Sequence, residues 1–131
     1  MPKINIPVLV RPINLADYAP ELAGGTVHVW INPTRDVVAE RNAIFSEIGE
    51  LLKVEASARD DAWRARDDEL GRRSTAWYAR VWSQHKNPAT HWTPEEVDQL
   101  SEHETDPGLY RWLIARTMAL IEDHRRGAAK K

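Results

Sequence analysis

The side chains that could perform acid–base or metal chemistry are scattered along the chain. The five histidines are His28, His85, His91, His103 and His124. No two of them stand three or four residues apart, which is the spacing that places two metal ligands on one helix face. His85 and His91 flank one loop and can approach each other, but solvated loop histidines explain them equally well.

Other catalytic patterns are missing as well. The carboxylate-rich run SEHETD (101–106) falls where a short helix is expected to end, and a solvated helix terminus accounts for it. The sequence has no cysteine, no glycine-rich phosphate loop and no serine in a nucleophile elbow. We therefore predict a protein that is not an enzyme and has no catalytic residue, no bound metal and no cofactor.

A second set of residues has the chemistry of recognition. Arginine and tryptophan share one helical face at steps of four and three, the spacing of a coiled-coil seam: Arg59, Trp63, Arg66, Leu70, Arg73, Trp77 and Arg80. Arginine and tryptophan are the residue types that contact phosphates and stack on bases in nucleic-acid-binding proteins. Here, however, acidic residues in the same segment almost cancel the positive charge of the arginines. We interpret the face as a rim whose arginine heads stay in water while a protein partner covers the tryptophan rings. The predicted partner-binding residues are Trp63, Arg66, Leu70, Arg73, Trp77 and Arg80.

Tryptophan is abundant for a chain of this size, with six in 131 residues. This residue is enriched at protein–protein contacts because it covers a large area and keeps a polar edge. The alternative is that all six anchor the core or the loops. We predict that Trp63 and Trp77 are partly exposed in the isolated subunit, where they contribute more to association than to folding.

Two strands precede the helices. In VHVWINPTRDVV (27–38), Val27, Val29 and Ile31 alternate with polar or aromatic residues, which is typical of a half-buried strand, and Pro33 ends it. The run KINIPVLVR (3–11) predicts a second strand with apolar residues at 4, 6, 8 and 10. Pro7 within it indicates an edge strand, and Gly24-Gly25 predicts a turn before the 26–31 strand.

The period then changes to that of helices. A broad apolar stripe from Val37 to Leu52 predicts a first helix, capped by Thr34 or Asp36. The arginine–tryptophan segment predicts helix with a break or kink near Gly71. Thr93-Pro94-Glu95-Glu96 is a capping box that opens a helix of about three turns, and Asp106-Pro107 opens a last helix through Arg125. The expected fold is α+β in a single domain, 1–131, comprising a two-strand ribbon (1–33), a helical part of about four helices (34–126) and a frayed tail (127–131).

Composition excludes several classes of protein. With 42% hydrophobic and 29% charged residues the chain is globular, and its net charge of −2 provides no general attraction to nucleic acid or anionic membranes. It has no apolar run long enough to cross a bilayer and no signal-peptide pattern. We expect a cytoplasmic protein.

Three segments also resemble a known family. The strand VHVWINP after a PELAGG turn, and the later blocks YARVWSQHKNPATHWTPEEV (78–97) and DPGLYRWLIARTMALIEDHR (106–125), are similar to the small tail assembly chaperones of long-tailed phages. The resemblance implies a non-enzymatic factor that keeps the tape measure protein soluble in the host cytoplasm during tail assembly. Two alternatives stay open, namely a structural virion protein such as a head–tail connector or minor tail protein, and a small adaptor unrelated to phage. A homo-oligomer is compatible with each.

Overall fold

The computed structural model describes residues 6–83, 91–101 and 107–129, and it has the predicted α+β fold. The elements in chain order are β1 (Val10–Asn14), β2 (Thr26–Trp30), α1 (Arg35–Leu52), α2 (Asp61–Val81), β3 (Trp82–Ser83), α3 (Pro94–Ser101) and α4 (Pro107–Ala129). Two short 3₁₀ turns, Leu15–Asp17 and Pro20–Leu22, join β1 to β2. A third, Ala56–Ala58, lies between α1 and α2.

The sheet has three antiparallel strands in the order β1-β2-β3, where two strands were predicted. The third strand is two residues long and follows α2 directly, so it carries no alternating pattern that a sequence could reveal. It pairs Trp82 with Val29 and Ser83 with His28. The turn predicted at Gly24-Gly25 is present, and Gly24 has a φ of 92°, which a residue with a side chain rarely adopts.

The first strand lies further along the chain than predicted. Residues 6–9 precede β1, and Ile6, Val8 and Leu9 are exposed, so the strand predicted over 3–11 is wrong in position. Residues 3–5 of that prediction lie outside the described residues. The pairing of Ile13 with Val27 supplies the buried contact that holds the strand here.

The edge position of this strand is confirmed, and Pro12 now explains it. The amide of Ile31 donates to the carbonyl of Leu9, and the amide of Leu15 donates to the carbonyl of Gly25. The backbone hydrogen-bonding groups of the odd-numbered residues of this strand therefore face β2. Pro12 therefore directs its nitrogen away from β2, which is where a strand tolerates proline.

Asn32 explains why the central strand ends in Asn-Pro. Its side-chain oxygen accepts from the amide of Leu9 at 2.8 Å, and its side-chain nitrogen donates to the carbonyl of Pro7 at 2.8 Å. The side chain thus continues the pairing after the backbone of β2 has turned toward α1. Thr34 occupies the cap position of α1 but makes no side-chain capping bond.

The break predicted near Gly71 is wrong, because α2 runs without interruption from Asp61 to Val81. A side chain at Gly71 would meet no atom within 4 Å, so the glycine is open to solvent and weakens the helix without ending it.

The capping box of α3 is confirmed. Thr93 accepts from the amide of Glu96 at 3.2 Å, and Glu96 accepts from the amide of Thr93 at 3.1 Å. The helix is described over the eight residues Pro94–Ser101, and its predicted third turn lies outside the described residues. The capping role predicted for Asp106 lies outside the described residues.

The last helix continues to Ala129, four residues beyond the predicted end. Residues 127–129, which were predicted to lie in a frayed tail, are part of this helix. Residues 130 and 131 lie outside the described residues.

The core lies where the sheet, α2 and α4 meet. Apolar side chains from every helix contribute to it, and Trp82, which is fully buried, lies near its centre among Tyr78, Trp92 and Tyr110. Among the described residues, the buried apolar ones are Ile13, Val27, Val29, Ile31, Val37, Ile44, Leu70, Trp77, Tyr78, Ala79, Val81, Trp82, Val97, Leu109, Leu113 and Ile121.

Candidate functional site

The predicted partner-binding residues lie along the contact between α2 and α1. The indole nitrogen of Trp63 donates to the carbonyl of Leu51 at 2.9 Å, and that of Trp77 donates to the carbonyl of Val37 at 2.7 Å. The two tryptophans thereby join α2 to both ends of α1, and the carbonyl of Leu51 also accepts from the amide of Val54 at 3.3 Å.

The prediction that Trp77 is partly exposed is wrong, since its side chain is only 2% exposed and Leu70 only 1%. Trp63 is half-buried, as predicted, with the guanidinium of Arg59 stacked 4.5 Å from its ring centre. Leu70 and Trp77 therefore pack inside the chain.

Two arginines of the same face are paired with carboxylates, whereas Arg59 donates to the carbonyl of Val54 at 3.1 Å. Arg73 binds Glu40 and Glu47, and Arg66 binds Glu47 and Glu69. The hydrogen bonds of Arg73 to these glutamates raise its pKa, and the Arg66 guanidinium lowers the pKa of Glu69. This network lets arginines stand between buried apolar residues, because each charge keeps a partner at the rim of the helix contact.

Arg80 differs from the other arginines of this face, because it is exposed and forms no ion pair within the described part of the chain. That the six residues bind a partner stays a prediction. The surface left for such a role consists of Trp63, the outer parts of Arg66 and Arg73, and Arg80.

A groove between α1 and α4 has a different character. α1 packs mainly on α2, whereas α4 packs on α3 and β1, and a cavity of about 490 Å³ remains between α1 and α4. Its floor is apolar, with Ile31, Val38 and Ile121, and its rim carries Arg35, Arg41 and Arg125. We call this the α1–α4 groove.

Arg41 is the most unusual residue of the α1–α4 groove. Its guanidinium is half-buried, 5.9 Å from the ring centre of Trp77, and its terminal nitrogens donate to the sulfur of Met118 at 3.1 Å and to Asn42 at 3.2 Å. Within residues 6–83, 91–101 and 107–129 it has no carboxylate partner, and its Nε is buried without an acceptor. A partly buried positive charge without a counter-charge is unfavourable.

The positive character extends beyond this residue. A neighbouring cavity of about 320 Å³ shares Ile31 and His124 with the α1–α4 groove and adds Arg11. Arg11, Arg35 and Arg125 are exposed, and none forms an ion pair with another described residue. Two carboxylates line these cavities: Glu122 pairs with Arg126 at 3.4 Å, and Asp123 lines the neighbouring cavity with Arg11 without an ion pair among the described residues.

A larger cavity, of about 620 Å³, has the opposite charge. Asp67, Asp68 and Asp98 line it together with one arginine, Arg72, and with Tyr110. Burial raises the pKa of Tyr110 to about 12, although a hydrogen bond with Ser74 opposes this and the charge of Asp98 adds to it. Positive and negative surfaces are thus separated in a chain with a small net charge.

The side chains with metal chemistry are not brought together in the part of the chain that the structure describes. No group of three or more histidine, aspartate or glutamate residues there is placed to hold a metal ion. His28 lies in β2 and His124 in α4, while His91 lies before α3, and His85 and His103 lie outside the described residues. None of the described helices is both long and apolar enough to cross a bilayer.

Sequence reasoning missed the α1–α4 groove because its residues are far apart in the chain. Ile31 precedes α1, and Arg125 comes from the end of α4. One local signal was present: Arg35 and Arg41 lie in α1 without a glutamate or aspartate three or four residues C-terminal to them. Comparison of the chain with protein-family models, with curated proteins and with solved structures returns no match.

Proposed function

We propose that this protein is a non-enzymatic assembly factor that binds a helical protein partner, and that the partner is the tape measure protein of a long-tailed phage. It acts as a tail assembly chaperone in the cytoplasm of the host cell. The resemblance of three segments to that family supports the identity of the partner.

One observation carries the binding role, namely the unpaired guanidinium of Arg41 in a groove with an apolar floor. Apolar floors with a polar rim are typical of protein-binding surfaces. The cost of leaving Arg41 without a counter-charge is removed if a partner covers the groove and supplies one. The groove also has the form that accepts a helix, because two helices make its walls.

Co-expression tests this proposal. The protein is produced together with the long helical protein encoded next to it, and separately that partner is produced alone. We expect a higher soluble yield of the partner in the first case, and a complex that survives size-exclusion chromatography.

Two results would contradict the proposal. The first is an unchanged yield together with the absence of a complex. The second is a stable ring of the isolated protein, because that is the behaviour of a head–tail connector.

A further inference from the structure

We infer that the occupant of the α1–α4 groove is an acidic amphipathic helix of the partner protein, with a carboxylate on Arg41 and apolar side chains on the floor. This inference rests on the proposed function and adds to it the site and the chemistry of the partner.

The treatment of arginine elsewhere in the molecule is the first argument. Where arginines lie in the contact between α1 and α2, carboxylates of the same chain neutralise them, as Glu40 and Glu47 do for Arg73. Around the α1–α4 groove and its extension, four arginines lack such partners among the described residues. The chain is net negative, so this local excess of positive charge selects an acidic ligand.

The geometry of Arg41 is the second argument. A guanidinium has five N–H donors, and each terminal nitrogen of Arg41 uses one, toward Met118 and toward Asn42. One N–H on each terminal nitrogen remains for a carboxylate, which can accept both in a two-point bond. The ring of Trp77 and the sulfur of Met118 hold the group in place beforehand, so less side-chain freedom is lost on binding.

The floor is the third argument, because it defines the rest of the ligand. Ile31, Val38 and Ile121 form an apolar strip beside the arginines, and Leu120 extends it. A helix with apolar residues at spacings of three and four, flanked by glutamates, offers the complementary strip and rim.

Binding of a designed peptide provides the test. The probe is a helix of about 20 residues with a leucine stripe flanked by glutamates, and a matched peptide carries glutamines in place of the glutamates. Fluorescence anisotropy at low ionic strength should give a Kd for the glutamate peptide that is lower by about tenfold or more. Added salt should reduce the difference.

Variants of the chain locate the site. The exposed pair Arg35→Gln with Arg125→Gln should raise the Kd of the glutamate peptide about tenfold. The control pair Arg72→Gln with Arg111→Gln removes two exposed arginines outside the groove and should leave the Kd unchanged. Arg41→Lys keeps the charge and loses the two-point bond, so it should weaken binding while circular dichroism and thermal unfolding stay as in the parent.

Several outcomes would overturn the inference. These are equal affinity for the two peptides, no binding of the glutamate peptide, or equal effects of the two double variants. Preferential binding to vesicles of phosphatidylcholine and phosphatidylglycerol, lost in Arg35→Gln with Arg125→Gln, would assign the groove to a membrane. A change of oligomeric state in that variant, without loss of peptide binding, would assign it to a second copy.

Co-purification with the partner protein separates failure of this inference from failure of the proposed function. If the adjacent long helical protein co-purifies equally with the parent and with the Arg35→Gln and Arg125→Gln variant, the groove is not the site but the chaperone proposal stands. If it co-purifies with neither, both fail.

Discussion

Of two buried hydroxyl groups in the core, one has hydrogen-bond partners and the other has none among the described residues. Thr117 is fully buried, accepts from the indole nitrogen of Trp82 at 2.9 Å and donates to the carbonyl of Leu113 at 2.7 Å. Tyr78 is 2% exposed, and its hydroxyl finds no partner in the described part of the chain. A buried polar group without a partner reduces stability, whereas a satisfied one contributes to it.

We expect Tyr78→Phe to raise the free energy of unfolding by about 1 kcal/mol, because it removes an unsatisfied hydroxyl and keeps the ring contacts. Thr117→Val keeps the shape of the side chain but leaves the nitrogen of Trp82 without an acceptor, and should lower that free energy by about 1–3 kcal/mol. Urea unfolding measures both. Destabilisation by Tyr78→Phe would mean that the hydroxyl has a partner after all.

At the scale of elements, α2 contains a glycine at the middle of a helix for no steric reason. Gly71 is exposed, and a Cβ there would meet no atom within 4 Å. Gly24 is the natural control, because its φ of 92° requires the freedom of glycine.

Gly71→Ala should therefore raise the free energy of unfolding by about 1 kcal/mol, since alanine loses less backbone freedom in the helix. Gly24→Ala should lower it by about 1 kcal/mol, because the side chain strains the turn. Thermal unfolding of the two variants and the parent gives both values. A loss of stability in Gly71→Ala would show that the glycine is needed for the conformation of α2.

The elements predicted correctly are those whose signals are local. The alternation of Val27, Val29 and Ile31 and the capping box of Thr93 and Glu96 depend on neighbouring residues only, and the structure contains both. The position of β1 depends on which apolar residue reaches the core, and Ile13 does so rather than Ile6.

The predicted partner-binding face shows the same limit. The spacing that places Trp63 and Trp77 on one side of α2 is correct, but the sequence does not say that α1 covers that side. Trp77 was therefore predicted to be partly exposed, although its indole lies against the first turn of α1. The α1–α4 groove was beyond prediction, because tertiary packing alone brings its walls together.

At the scale of the whole molecule, sensitivity to alkali follows from two buried phenols. Burial raises the pKa of Tyr78, and it raises that of Tyr110 from its ordinary value near 10 to about 12. The fold therefore favours the neutral form of each phenol. Below about pH 10 both the folded and the unfolded chain are neutral at Tyr110, so its contribution to stability is fully present there.

We expect the free energy of unfolding to fall as pH rises from about 10 to about 12, because Tyr110 ionises first in the unfolded chain. In Tyr110→Phe the free energy of unfolding should fall less steeply over this range. Near pH 9 and below, the difference in free energy of unfolding between the variant and the parent should no longer depend on pH. Urea unfolding at a series of pH values measures the slope. Parallel curves for parent and variant would contradict the assignment to Tyr110.

The direction in which Pro12 turns its nitrogen has a consequence for behaviour at high concentration. The open side of β1 lacks an amide at the middle of the strand, so an extended segment from another molecule finds no continuous ladder to join. Pro7 interrupts the exposed apolar run just before it, which further disfavours cross-β stacking. At high concentration the chain is thereby protected from fibril growth along this edge.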